Sequence, residues 1–308
     1  MRWMGARLVD RVRGGRDEPA RGAFDPPRAA PSFATPRLDA ARISATWIGH
    51  SSWLVQLGGL NVLLDPVWSE RASPLSFAGP RRWTAPGVAL AALPPVDLVV
   101  LSHDHYDHFD DATIRRLARE HPGARWLAPL GVGARLRARG IERVEERDWW
   151  GSATIDGVVA TCLPAQHFSG RTPFDRDSTL WSGWALRAPA SGRALWFVGD
   201  TGRHPDFAAI ARRAGPFDFV LMPIGAYEPR WFMRPVHLDP AEAVAAYGEI
   251  AATQPDRPPV MAGMHWGTFK LTDEAMDEPP RRTAEAFAAA GHAASELWVP
   301  ALGETRAR

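Results

Sequence analysis

Four short apolar runs in this chain end on a histidine or an aspartate, and no bulk property restricts the fold as strongly. VDLVVLS leads into HDHYDHFD at His103, VATCLPAQ ends at His167, ALWFVG at Asp200 and PPVMAGM at His265. Strand ends in α/β folds converge on one edge, so residues far apart in the chain can meet there. The surrounding texture agrees. From Ile43 the runs ISATWIG, SWLVQL and NVLLDP are close enough to be hairpin strands. DDATIRRLAREH then places Ile114, Leu117 and Ala118 on one helical face, with Asp110 or Asp111 available as the cap. RWLAPL, GVGARLRARG and IERVEERDWW continue as strand, helix and strand.

The second half repeats the pattern. VVATCLPAQH, TLWSGWALRAP, ALWFVGD and FDFVLMPIG read as strands, and DPAEAVAAYGEIAAT as a helix. Asp239 is its N-cap, Pro240 its first turn and Glu242 the reciprocal capping residue. PPVMAGMH and ELWVP follow as strands with the helix RRTAEAFAAAG between them. Strands grouped consecutively, with helices at the ends of each half, favour two packed sheets flanked by helices over a regularly alternating parallel sheet.

Imidazole and carboxylate without thiolate suit Zn²⁺, Mn²⁺ or Fe in an open catalytic site. Within the cluster His103 and His105 can point to one side, while Asp107 and His108 follow the next bend. His167 completes the first set, His265 the second, and Asp200 bridges them. Two such metals, about 3.5–4 Å apart, stabilise both the attacking and the leaving oxygen of a displacement, which suits hydrolysis. His50, His121, His204 and His292 are read as ordinary surface or core residues.

Bulk properties exclude more than they propose. A net charge of +1 gives no whole-protein attraction to nucleic acid. The single cysteine, Cys162, precludes an intrachain disulfide and reads as a packed, inert strand residue. With no apolar stretch near the roughly 20 residues of a membrane span and no secretory signal pattern, the expected compartment is cytoplasmic. Met4, Leu8 and Val12, flanked by arginines, can form a short basic helix on an anionic membrane or an arm packed on its own domain. Residues 1–42 read as tail and connector, and 43–308 as one catalytic domain.

The cluster with His167, Asp200 and His265 resembles the metallo-β-lactamase superfamily, in the ligand order of that family, from about Ile43 onward. The resemblance implies an αββα sandwich with a dinuclear metal site at one edge of the sheets. Narrower motifs, TWIGHSS, LLDPVWSERASPLSFAGPRR, LPPVDLVVLSHDHYDHFD, FVGDTG, GPFDFVLMPIGAYEPRWFM and HWGTF, resemble N-acyl-phosphatidylethanolamine-hydrolysing phospholipases D and their bacterial relatives. That resemblance implies two Zn²⁺ per chain, a phospholipid substrate, and release of an N-acylethanolamine and phosphatidic acid at a site reached from the membrane. Peripheral contact with the inner face of the membrane fits, and a homodimer is compatible with it. Asp104 departs from the Asn of animal members.

Roles follow for the remaining residues. Asp107 holds the second metal or orients the attacking water. Asp65 either accepts a proton from a ligating imidazole, fixing its tautomer, or caps a turn before Pro66. His237 either donates a proton to the leaving oxygen or merely starts a helix. In the loop YEPRWFM, Tyr227, Glu228, Arg230, Trp231, Phe232 and Met233 line a lipid-facing pocket or pack as a support. Arg81 and Arg82 contact phosphate or form a solvated pair. The competing readings are a lactonase acting on a soluble phosphorylated sugar lactone and, from another class, a metal-stabilised lipid-binding protein without turnover.

Overall fold

The computed structural model describes residues 24–308. The basic stretch around Met4, Leu8 and Val12 lies outside the described residues. Strands β1 (Ile43–Gly49), β2 (Ser52–Leu57) and β3 (Leu60–Leu64) form an antiparallel meander. Strands β4 (Leu98–Val100), β5 (Arg125–Pro129) and β6 (Val144–Arg147) then run parallel to β3. Helices α1 (Asp111–Glu120) and α2 (Val132–Arg137) make the crossovers, and Asp110 caps α1 by accepting from Ala112 N–H.

The second sheet opens with the meander β7 (Ser152–Ile155), β8 (Val158–Leu163), β9 (Gly183–Ala188) and β10 (Arg193–Phe197). It turns parallel through β11 (Phe219–Pro223), β12 (Val260–Met264) and β13 (Leu297–Trp298). Its helices are α3 (Phe207–Ala214), α4 (Arg230–Met233), α5 (Pro240–Ala251) and α6 (Glu278–Ala289). A last strand, β14 (Thr305–Ala307), returns to pair with β1, so each sheet has seven strands.

Period-two alternation assigns the faces. Trp53, Val55, Val62, Leu64, Leu98 and Val100 enter the core shared with the second sheet. Their neighbours Leu54, Leu63, Val99 and Leu101 turn the other way, onto Ile114 and Leu117 of α1 and Val132 and Leu136 of α2. Both faces of this sheet are therefore buried. That is why its strands read as continuous apolar runs rather than as alternating ones. On the second sheet α5 packs over β11, with α3 and α6 against it. The layers are helix, sheet, sheet, helix, as expected.

Several details differ from the sequence expectation. The helix α3 and the short strands β7 and β14 were not anticipated, being at most eight residues long and, for α3, without a side-chain cap. The loop YEPRWFM contains one helical turn, α4. Residues 24–42 form no helix or strand but are fastened to the sheets: Phe24 is buried, Ala34 exchanges hydrogen bonds with Gln56, and Arg37 pairs with Asp97. Cys162 is buried in β8, and burial pushes its thiol up to about 12.

Strand direction positions the site. Two antiparallel steps make β1 parallel to β3, and likewise β8 parallel to β10. Hence β1, β3 and β4 in one sheet, and β8, β10, β11 and β12 in the other, each run one way and release their following residues at the same end. Two close approaches hold that end together. A Cβ on Gly199, just before Asp200, would meet Ser182 O at 2.5 Å, and one on Gly225 would meet His265 O at 2.2 Å.

The cap of α5 is reciprocal: Asp239 accepts from Glu242 N–H at 2.9 Å, and Glu242 accepts from Asp239 N–H. Asp206 at the start of α3 makes no such bond. Asp239→Ala is expected to cost about 1 kcal/mol, a fall of roughly 2 °C in the thermal midpoint of a domain this size. Asp206→Ala, followed by the same calorimetric scan, should stay within about 0.5 kcal/mol of the parent.

Candidate metal centre

Two strand ends supply the first group. His103 follows β4, His105 lies one bend further on, and His167 follows β8. His103 Nε2 lies 2.8 Å from His105 Nδ1, which is 3.2 Å from His167 Nε2. The partners of the opposite ring atoms fix which nitrogens are bare. His167 Nδ1 is 3.0 Å from the carbonyl of Val236, which can only accept, so Nδ1 is protonated and Nε2 is not. Ser102 Oγ gives its hydrogen to Asp65, so it accepts from His103 Nδ1, leaving His103 Nε2 bare. Tetrahedral Zn–N bonds of about 2.0–2.1 Å set ligand nitrogens about 3.4 Å apart, close to the spacing of this trio.

The second group is His108, Asp107 and His265, with Asp200 between the two. Asp200 Oδ2 lies 3.2 Å from His108 Nε2, 3.0 Å from His265 Nε2 and 3.8 Å from His167 Nε2. Asp107 Oδ2 lies 3.5 Å from His108 Nε2 and 3.4 Å from His265 Nε2. His108 Nδ1 donates to Asp65 Oδ2 at 2.6 Å, so its Nε2 also faces the centre. His108 Nε2, His265 Nε2 and Asp200 Oδ1 are buried and have no hydrogen-bond partner among the described residues. Buried polar atoms are ordinarily satisfied. A convergence of bare imidazole nitrogens and carboxylate oxygens fits a divalent cation of the zinc type.

Electrostatics point the same way. Burial, reinforced by neighbouring imidazoles, holds His103 well below the ordinary range; burial also holds His167 there, against the pull of Asp200. For His108 and His265 burial likewise opposes charge, but the carboxylates outweigh it: His108 is held well above its usual range and His265 is raised to about 9. Asp107 and Asp200 resist the upward push of burial and stay well below the carboxylate range because of those imidazoles. The carboxylate side of the centre thus favours positive charge.

Asp65 acts on both groups. It is fully buried, its backbone is left-handed at φ 37°, and it accepts from Ser102 N, Ser102 Oγ and His108 Nδ1. These contacts place the Asp65 carboxylate against the Nδ1 of His108 directly and of His103 through Ser102. His237 also reaches the centre: it is buried, with its ring 5.1 Å from that of His167 and 5.3 Å from that of His265. Burial pushes its pKa down to about 3, so the ring is neutral.

The structure adds residues that the sequence reading passed over. His50 is buried at the end of β1 with Nε2 2.9 Å from Asp107 Oδ2. It obeys the same rule that singled out the others, an apolar strand followed at once by a histidine. Asp104 turns away from the centre to Arg135 Nε, at 2.8 Å, and to Gly170 N–H, tying the His103–His105 segment to the loop after His167. Arg82 is buried, donating to the carbonyls of Val67 and Ser69, whereas Arg81 is exposed beside Glu70.

The YEPRWFM loop divides in two. Tyr227 is buried and donates to Glu278 at 2.7 Å, Glu228 accepts from Arg230 N–H, and Arg230 pairs with Glu242 and Asp239. Met233 is buried, while Trp231 and Phe232 are 68% and 48% exposed.

A family model described as β-lactamase superfamily domain matches residues 60–266. An uncharacterized protein of Mycobacterium tuberculosis is 43% identical over 268 residues, covering 85% of this chain and 70% of that one. N-acyl-phosphatidylethanolamine-hydrolyzing phospholipase D 1 of Caenorhabditis elegans is 41% identical over 252 residues, covering 78% of this chain and 68% of that one. Among solved structures, the metallo hydrolase Igni18 of Ignicoccus hospitalis superposes with a TM-score of 0.63 at 23% identity, covering 87% of this chain and 98% of that one.

Because Asp65 orients one imidazole of each group, Asp65→Asn should lower affinity for Zn²⁺ by about 10- to 100-fold. Competition against a chromophoric chelator reads this directly. Far-ultraviolet circular dichroism should remain that of the parent.

Proposed function

The chain belongs to the metallo-β-lactamase superfamily and is a metal-dependent hydrolase, and we propose that it is a phosphodiesterase of the phospholipase D type. Its substrate on this reading is N-acyl-phosphatidylethanolamine, and its products are an N-acylethanolamine and phosphatidic acid. The observation that carries the proposal is the place of Asp200 between two imidazole groups, in a chain 41% identical to a relative named for that reaction.

His103, His105 and His167 would hold one cation, Asp107, His108 and His265 the other, with Asp200 shared. Two bound Zn²⁺ supply Lewis acidity toward phosphoryl oxygens and lower the pKa of water from about 15.7 toward 7. The chain's own groups do the rest. Asp107, with one oxygen already accepting from His50, keeps its carboxylate fixed at the centre. On this reading His237, buried and neutral beside His167 and His265, offers an N–H hydrogen bond to the departing ethanolamide oxygen rather than a full proton. Arg230 holds the His237 carbonyl at 2.9 Å, which keeps that segment in register with the centre.

The lipid half of the proposal is supported at the protein surface. Phe77 and Phe174 are 77% and 96% exposed, and Trp231 stands out similarly. Phe77 belongs to the loop after Asp65, Phe174 to the loop after His167, and Trp231 to the segment leading to His237. These apolar tips leave the edge that bears the centre and suit peripheral contact with a membrane. No helix among the described residues is long and apolar enough to cross one.

The decisive assay is mass spectrometry of products after zinc-loaded protein meets N-acyl-phosphatidylethanolamine in detergent. Zinc-dependent N-acylethanolamine plus phosphatidic acid is expected, with a loss of at least 100-fold in Asp107→Asn, about the scale on which removing a transition-state contact acts. No cleavage by a protein holding two cations would refute the substrate and move the reading to a soluble phosphorylated or lactone substrate. For the surface, the double variant Phe77→Ser/Phe174→Ser should bind anionic vesicles roughly five- to tenfold more weakly, since each ring forfeits only part of its burial energy. Its turnover of a soluble phosphodiester should match the parent, as a flotation assay run beside a colorimetric one would show.

A further inference from the structure

His50 stands closer to Asp107 than the second imidazole group does. Its Nε2 is 2.9 Å from Asp107 Oδ2, against 3.5 Å for His108 and 3.4 Å for His265. The carboxylate can only accept, so Nε2 carries the proton; Nδ1 is buried without a partner among the described residues.

The chain around His50 is built to keep the ring there. The β1–β2 register shifts between Trp47 and Gly49, a bulge of the kind that re-aims a strand end. His50 itself is left-handed at φ 54°, a conformation that a non-glycine residue adopts only where its surroundings impose it. Its carbonyl supplies that constraint by accepting from Trp47 Nε1 at 2.9 Å and from His265 N at 3.1 Å. The ring lies 4.0 Å from that of His265 and edge-on to Phe269 at 5.4 Å, and Arg82 covers Phe269 at 5.0 Å. Backbone and ring are thus bolted to the strand end that delivers His265.

We propose that His50 is a positioning residue: its Nε2–H fixes Asp107 Oδ2, so that the carboxylate is presented together with His108 and His265 and sets the affinity for the second cation. The inference rests on the two-cation reading above. It goes beyond that reading by assigning control of the second position to a residue outside the ligand cluster.

The test is a Zn²⁺ titration of the full chain against a chelator that resolves the two equivalents, with the visible spectrum of the Co²⁺-loaded protein as a second readout. His50→Ala should weaken the second equivalent by about 10- to 100-fold and leave the first unchanged. His50→Gln, which retains an N–H donor, should recover to within about threefold and restore the Co²⁺ spectrum. In an Asp107→Ala background, removing His50 should cost nothing further, since the two act as a unit. Parental second-site affinity in His50→Ala, a glutamine variant as weak as alanine, or additivity with Asp107→Ala would each overturn the proposal. The glutamine result would instead mark His50 as a ligand. If His50→Ala does not fold, His50→Gln against His50→Leu makes the same comparison, donor against none. A parent chain that takes up only one cation overturns the two-cation reading itself, before any variant is compared.

Discussion

One buried carboxylate decides which nitrogens face the centre. Asp65 receives His108 Nδ1 directly and His103 Nδ1 through Ser102 Oγ, so one histidine of each group is locked with its Nε2 inward. A free imidazole would exchange tautomers and rotate, and a cation would have to order it on binding. Here the ordering is done by folding. The Asp65 backbone is left-handed at φ 37°, a strained conformation for a residue other than glycine. Asp65 N–H bonds to Val100 O and Ser102 N–H bonds back to Asp65 Oδ1, joining the ends of β3 and β4. The strain is therefore held by the same hydrogen bonds that align the His103 and His108 rings.

The sandwich makes this economy possible. Each sheet contributes strands of a single direction to the edge, and each adds candidate ligands that the other lacks: the His103–His108 segment from one, His167, Asp200 and His265 from the other. Neither sheet alone holds a complete group. Packing of the two sheets through Trp47, Trp53, Trp184 and Trp196, all buried, fixes their separation and with it the distances at the centre. Close approaches without side chains, at Gly199 and Gly225, let the strand ends come together more tightly than any other residue would permit. The hydrophobic core and the geometry of the His/Asp cluster are one construction.

How much of this was legible depends on where each signal lies along the chain. The strands were readable because the apolar runs are short, bounded by Gly, Pro and Asp, and buried on both faces. The reciprocal cap at Asp239 was readable because its partners are three residues apart. The convergence of His167, Asp200 and His265 followed from the strand-end rule alone. His50 satisfies that rule equally, but it follows an antiparallel strand and stands by itself, with no second donor nearby in sequence to distinguish it from a turn histidine. Arg82 could not be separated from Arg81 by composition: one is buried beneath Phe269 and the other exposed, a difference set by partners far away in the chain. The pairing of Asp104 with Arg135 is of the same kind, since it links the His103–His108 segment to a helix.

The loop from Gly225 to Asp239 shows how anchoring and exposure divide within one segment. Its inner side is consumed by the protein: the backbone N–H groups of Ala226 and Glu228 donate to Glu274, Tyr227 reaches Glu278, and Arg230 bridges to Glu242. Each of these is a polar contact that would be lost if the loop moved, so the base is rigid. Trp231 and Phe232 at the tip meet edge-on, with ring centroids 5.6 Å apart, and remain exposed. An apolar tip on a mobile loop would collapse onto the nearest apolar surface. On a base fixed by ion pairs it stays presented, so the same carboxylate, Glu242, that completes the cap of α5 also keeps this aromatic pair turned outward.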